Sequence, residues 1–114
     1  MPPQTTKKTT PKYYLSVRQP YAWAMFTGIK DIENRDWSTK IRGRIFIHAG
    51  KSKNDFVQGM ENLYQNGVKR VPIEENLIWG AIIGSVEIVD CVEKHPSKWH
   101  DKGKKGFLLA NPRK

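Results

Sequence analysis

Alternating apolar and polar positions predict that much of this chain is β-strand. Residues 13–18 (YYLSVR) are aromatic and β-branched, which favours a strand. In 44–50 (RIFIHAG) two isoleucines alternate with Phe46 and His48, as is typical of a half-buried strand. The pattern thus predicts one strand in each of these two segments.

A third strand is predicted at 31–37, with the sequence DIENRDW. Because side chains two apart in a strand point to the same face, Glu33, Arg35 and Trp37 are expected together on one side. Ile32 is left to the opposite side. The pattern thus places a row of charged and aromatic side chains on one face.

Two later strands are predicted at 80–92 and 106–114. The first is apolar on both faces and reads as a central strand, in which Gly80 and Gly84 indicate a bend or bulge. The second is a closing strand that Pro112 is expected to stop.

Helical patterns interrupt the strands at two places. Pro20 opens a short helix that Gly28 ends, and a longer amphipathic helix is predicted over 52–66, with Ser52 or Asn54 as its cap. Its apolar stripe consists of Phe56, Met60, Leu63 and Tyr64. Five strands and two helices indicate a mostly β fold with helices (α+β), namely a small barrel.

The chain length and composition indicate one folded domain preceded by a tail. With 114 residues, of which 38% are hydrophobic, the chain fits a single core. Residues 1–12 contain Pro, Thr, Gln and Lys but no large apolar side chain apart from the initiator Met, so a flexible basic tail is predicted there. The domain is expected to span 13–114.

The charge is uneven along the chain, whose formal net charge is +9. Residues 13–53 carry eight basic side chains against three acidic ones, and 94–114 carry seven against one, whereas 54–93 is acidic. If the fold joins the basic segments, one face attracts polyanions. A solvated, solubilising surface is the alternative explanation.

Several functions are disfavoured by what the sequence lacks. Cys91 is the single cysteine, which indicates an intracellular, reducing compartment, and we expect a cytoplasmic monomer. No apolar run reaches the roughly 18–20 residues that span a membrane. Phosphate-loop and zinc motifs are missing, and His48, His95 and His100 lack ligand spacing, so neither cofactor nor metal is expected.

One polar cluster remains for chemistry. Arg18 and Gln19 leave the first strand, and Lys30, Glu33 and Arg35 follow the first helix. Cations flanking one carboxylate can hold a phosphate while the acid orients them or accepts a proton from a base amino group. An exposed row of ion pairs is the alternative.

The cluster also fills a known pattern. The stretch LSVRQPYAWAMFTGIKDIENRDW contains GxKxxExR and closely resembles the ASCH domain family. The pattern consists of Gly28, Lys30, Glu33 and Arg35. Three further blocks match the family in order, at 42–51, 80–91 and 105–113. The resemblance covers essentially everything after the tail.

The resemblance implies a PUA-like β-barrel whose cleft binds RNA or nucleotides, with DNA also possible. It assigns these cleft positions: Arg18, Gln19, Pro20, Trp23, Lys30, Glu33, Arg35, His48 and, more weakly, Glu87. For Glu87 we expect Arg35 or Lys30 as partner, and an outward-pointing position at a strand edge is the alternative. The basic flanks and a stacking aromatic complete the predicted ligand-binding set: Trp37, Arg42, Lys51, Lys104 and Lys105. Tyr13 and Tyr14 are further candidates for stacking on an unpaired base.

Two other functions stay open. Similar bacterial proteins hydrolyse acetylated cytidine with a lysine-activated threonine, but Glu33 stands where those enzymes have the threonine. No catalytic residue is therefore assigned, although an amidohydrolase remains an alternative. A protein-interaction adaptor is the second alternative, because related barrels host different functions.

Overall fold

The computed structural model describes residues 11–114, so residues 1–10 of the expected tail lie outside the described part. Within it the chain forms five strands, two α-helices and a short 3-10 helix. In chain order these are β1 (Tyr14–Val17), α1 (Tyr21–Phe26), β2 (Ile32–Arg35), β3 (Gly43–Ala49), α2 (Phe56–Gln65), the 3-10 helix (Glu74–Asn76), β4 (Ala81–Val92) and β5 (Lys105–Arg113). The predicted mostly β fold with helices is confirmed.

All five strands belong to one sheet in the order β1-β3-β4-β5-β2. The β1–β3 pair is parallel and the others are antiparallel, and β4 is central as predicted. The sheet curls until its two edge strands approach each other, and the Arg35 side chain on β2 donates to the Ser16 carbonyl on β1 at 2.8 Å. The result is a small, partly open barrel.

The barrel interior is filled by the inward positions of the alternating strands and by Met25 of α1. Its buried core includes Leu15, Val17, Met25, Ile45, Ile47, Val86, Ile88, Phe107 and Leu109. A second buried cluster of Ala24, Ile32, Leu63 and Trp99 packs the two α-helices against the sheet edge. Burial of these side chains, each worth roughly 1.5–3 kcal/mol for a large apolar residue, stabilises the fold.

Strand β4 bends where the sequence predicts a bend. Its register with β3 shifts between Ile47 and His48, opposite Gly84, and its register with β5 shifts twice. A Cβ at Gly84 would lie 2.1 Å from Phe26 Cε1 and 2.4 Å from the Arg113 carbonyl oxygen. Only glycine permits this close approach of backbone and ring.

We therefore expect Gly84→Ala to lower the free energy of unfolding by about 1–3 kcal/mol, because overpacking forces the neighbours apart. Gly50→Ala is a control, since a Cβ there lies 3.7 Å from its nearest neighbour, the Val17 carbonyl oxygen. Urea denaturation of both variants measures the difference. Equal stability of the two variants would contradict the explanation of the bend.

The predicted cap of α2 is wrong. The helix begins at Phe56, and the preceding Asp55 adopts a left-handed φ of 64° with no side-chain capping bond. Its carboxylate instead accepts a 2.8 Å hydrogen bond from Arg18. The apolar stripe also differs, because Tyr64 is exposed while Gly59 is buried against Pro20.

The predicted stop at Pro112 is also wrong, since β5 continues to Arg113. Strand β2 pairs with β5 only from Lys105 to Leu108. The register of β5 with β4 shifts between the Ala110–Glu87 and Arg113–Ser85 pairs. Pro112 lies within this irregularity, where a strand tolerates a residue that lacks an N–H.

Candidate functional site

A cleft of about 560 Å³ opens between the two edge strands of the sheet. Strand β1 contributes Ser16, Val17 and the following Arg18, and β2 contributes Glu33, Asn34 and Arg35. Helix α2 and the 98–104 segment form the other walls. The cleft therefore lies where the curled sheet fails to close.

Glu33 is the central charge of the cleft and is 9% exposed. One carboxylate oxygen lies 2.8 Å from the Arg35 guanidinium, and the other lies 3.6 Å from Lys30 Nζ. Strand alternation brings Glu33 and Arg35 to one face, as predicted. Burial distinguishes this arrangement from the exposed ion pairs that contribute little to stability.

Lys30 is nearly buried beneath this pair. Its ammonium donates to the Ile32 carbonyl and lies 5.6 Å from the Tyr21 ring centre. Burial lowers the pKa of Lys30 below its ordinary value, opposed chiefly by the attraction of Glu33 and then of Asp101. An anion entering the cleft would favour the protonated amine and raise this pKa.

The cleft also has an acidic and hydroxyl side. Burial raises the pKa of Tyr21, and the negative charges of Asp101 and Glu33 raise it further. Tyr21 is therefore a neutral hydroxyl at neutral pH, able to donate or accept. With two carboxylates close by, the floor offers groups that recognise hydrogen-bond donors as well as anions.

Asn34 fixes the loop that forms one wall. Its Nδ2 donates to the Trp99 carbonyl and its Oδ1 accepts from the Asp101 backbone amide, both at 2.9 Å. Trp99 is itself buried beneath this loop. Asn34 thus holds the aspartate against the cleft with both ends of its amide.

Loosely paired cations form the rim. Arg18 pairs with Asp55 at 2.8 Å, and Lys104 pairs with Asp36 at 2.5 Å. Lys98 donates to the Asn66 carbonyl at 2.6 Å. Such exposed contacts are weak, so a phosphate can replace them at little cost.

The structure brings five predicted residues to this cleft: Arg18, Lys30, Glu33, Arg35 and Lys104. Sequence reasoning missed Ser16, Tyr21, Asn34, Asn62, Asn66, Lys98, Trp99 and Asp101. Of these residues, Asn34 lies inside the GxKxxExR pattern, and its position there is the signal by which the sequence could have identified it as a cleft residue.

Gln19 and Trp23 have structural roles behind the cleft. Gln19 is buried, accepts from the Trp23 backbone amide and donates to the Ile78 carbonyl, both at 2.9 Å. Trp23 packs against the second core cluster, and Pro20 is fully buried. Their contacts hold α1 in place.

The remaining predicted positions lie outside the cleft. Arg42 pairs with Asp90 at 3.4 Å and Lys105 with Glu93 at 3.3 Å. Trp37 is half exposed and packs against Phe107. Lys51 is exposed beside Gly80. His48 lies next to Ser16 on the outer face of the sheet.

The expected partner of Glu87 is wrong. Its carboxylate lies 3.7 Å from Arg44 and accepts a hydrogen bond from Asn111. Arg44 is the cross-strand neighbour of Glu87, whereas Lys30 and Arg35 serve Glu33 at the sheet edge.

Within residues 11–114 no cluster of three or more His, Cys, Asp and Glu side chains is placed to hold a metal ion. None of the helices in this range is long and apolar enough to cross a bilayer.

A five-stranded curled sheet with a polar cleft at its open seam defines a small PUA-like β-barrel. The model of the ASCH domain matches residues 15–113, and the chain belongs to that family. Activating signal cointegrator 1 of Homo sapiens is 34% identical over 88 residues, covering 74% of this chain and 15% of that protein. Its Mus musculus counterpart is 34% identical over 84 residues, covering 70% and 14% respectively. The chain thus corresponds to a small part of these relatives.

Proposed function

We propose that this protein is a nucleic-acid-binding module that takes an unpaired RNA nucleotide or a modified nucleotide into the cleft. One observation carries the proposal: a buried carboxylate, Glu33, is held between Lys30 and Arg35 at the floor of a cation-rimmed cleft. Membership of the ASCH family is consistent with it.

The cleft offers separate groups for the two parts of a nucleotide. Arg18, Lys98 and Lys104 at the rim suit phosphate oxygens, which attract basic side chains in every nucleic acid. The amides of Asn62 and Asn66 and the floor carboxylate suit a base edge. An unpaired base reaches such groups more readily than a paired one, which favours single-stranded RNA.

A salt titration with single-stranded RNA, duplex RNA and DNA of equal length tests this proposal. Lys104→Gln should weaken binding about equally for all sequences and reduce the salt slope by about one, because one phosphate contact is lost. Lys105→Gln is the matched control, since Lys105 lies outside the cleft beside Glu93.

We expect the control to keep the wild-type slope. If the two variants have the same salt slope, Lys104 does not contact a phosphate of the bound nucleic acid. Absence of binding by the wild-type protein to all three ligands would contradict the proposal as a whole.

The lowered pKa of Lys30 favours one alternative, an amidohydrolase acting on acetylated cytidine. A buried amine with a reduced pKa can serve as a general base. Turnover of acetylated cytidine by the wild type, lost in Lys30→Met, would support the enzyme. Binding without turnover supports the module.

A further inference from the structure

The outer face of the sheet beside the cleft carries aromatic side chains. Alternation sends Leu15, Val17, Ile45 and Ile47 into the core. The opposite face of β1 and β3 consequently presents Tyr14, Ser16, Phe46 and His48. Tyr14 pairs in register with Phe46, and Ser16 with His48.

Tyr14 and His48 form an open platform. Their ring centres lie 5.8 Å apart with a tilt of 57° between the planes. Tyr14 is 66% exposed, so its ring is accessible from solvent. The Ser16 hydroxyl lies 3.0 Å from His48 Nδ1 and fixes the imidazole. The exposed Tyr14 ring is thus held in place by its contact with His48.

This platform is continuous with the cleft. Ser16 lines the cleft, and its carbonyl accepts from Arg35 at 2.8 Å. Arg18, also in the cleft, follows two residues later on the same side of β1. At about 3.3 Å per residue, Tyr14 lies about 13 Å from Arg18 along the chain. A polymer held in the cleft needs only a short step to reach the platform.

We propose that a single strand of nucleic acid held in the cleft continues over this face and stacks an unpaired base on the Tyr14 ring, with His48 as the neighbouring ring. The inference rests on the proposed function and extends it from one nucleotide to a short strand. Base–aromatic stacking beside cationic groups is how single-stranded nucleic acid is bound without base pairing.

The charge and chemistry of the face favour nucleic acid over a protein partner. Cross-strand register continues the row from Tyr14 through Phe46 and Ser85 to Arg113, so the aromatic patch has Arg18 at one side and Arg113 at the other. The formal net charge of +9 acts in the same direction.

The test measures the affinity of Tyr14→Ala and of the wild type for two ligands, a single-stranded RNA of about eight nucleotides and a mononucleotide. We expect the RNA to bind roughly 5- to 100-fold more weakly and the mononucleotide to bind unchanged, because only the strand reaches the platform. Tyr14→Phe, which keeps the ring, should retain RNA affinity. Tyr64→Ala is the control, since Tyr64 is 57% exposed on α2 beside Lys69.

Any of these results would overturn the inference: wild-type RNA affinity in Tyr14→Ala, an equal loss for both ligands, or an equal loss in Tyr64→Ala. Capture of a protein through this face with RNA binding unchanged would do so as well. Arg35→Ala separates this inference from the proposed function. If that variant binds RNA normally while Tyr14→Ala does not, the cleft proposal fails, and with it the path from the cleft to the platform, while stacking on Tyr14 itself remains supported.

Discussion

Replacing Arg35 by alanine is expected to weaken nucleotide binding by about 1–3 kcal/mol while the protein stays folded. The guanidinium already makes two contacts, with Glu33 at 2.8 Å and with the Ser16 carbonyl at 2.8 Å, so its plane is fixed before the ligand arrives. Preorganisation of this kind reduces the cost of binding. Arg35→Lys should restore only part of the affinity, because lysine lacks the planar fork.

Calorimetric titration and melting curves measure both properties on the same samples. Arg42→Ala is the control, since that exposed arginine pairs with Asp90 outside the cleft. Wild-type affinity in Arg35→Ala would show that the ligand binds elsewhere.

The second large effect is expected on stability. Glu33→Gln removes the strongest negative partner of the buried Lys30 ammonium, which we expect to cost about 3 kcal/mol at neutral pH. Glu93→Gln is the control, because the exposed pair of Glu93 with Lys105 should be worth less than about 1 kcal/mol. Urea unfolding measures both values.

The deficit of Glu33→Gln should shrink as the pH rises. Without the attraction of Glu33, the pKa of Lys30 falls further below its ordinary value of 10.5, which the unfolded chain retains. Between the folded and unfolded pKa the unfolded state binds more protons, so the free energy of unfolding increases with pH in that range. The double variant Lys30→Met/Glu33→Gln should recover most of the loss. A deficit that is constant with pH would contradict this role for Lys30.

The sequence predicts the strands well because their apolar period of two is a local property. The alternation in Ile45 to His48 and the doubly apolar β4 correspond to what the structure shows. The charged floor of the cleft is also local, since Lys30, Glu33 and Arg35 lie within six residues.

The opposite wall of the cleft has no such local signal. Asn34 meets the Trp99 carbonyl across 65 positions of sequence, and Asn66 meets Lys98 across 32. These contacts depend on how the curled sheet places its loops. Glu87 was assigned the wrong cation for the same reason, because the register of β3 with β4 decides its neighbour.

The open seam of the barrel also affects how accessible the two edges of the sheet are. Edge strands offer unpaired backbone groups on which another chain can add a strand, the route to aggregation. Here both edge strands are only four residues long, and they face each other across the cleft, where charged side chains are buried. Arg35 occupies the Ser16 carbonyl that an incoming strand would use. A side chain that lines the cleft therefore also covers a backbone group at which another strand could pair.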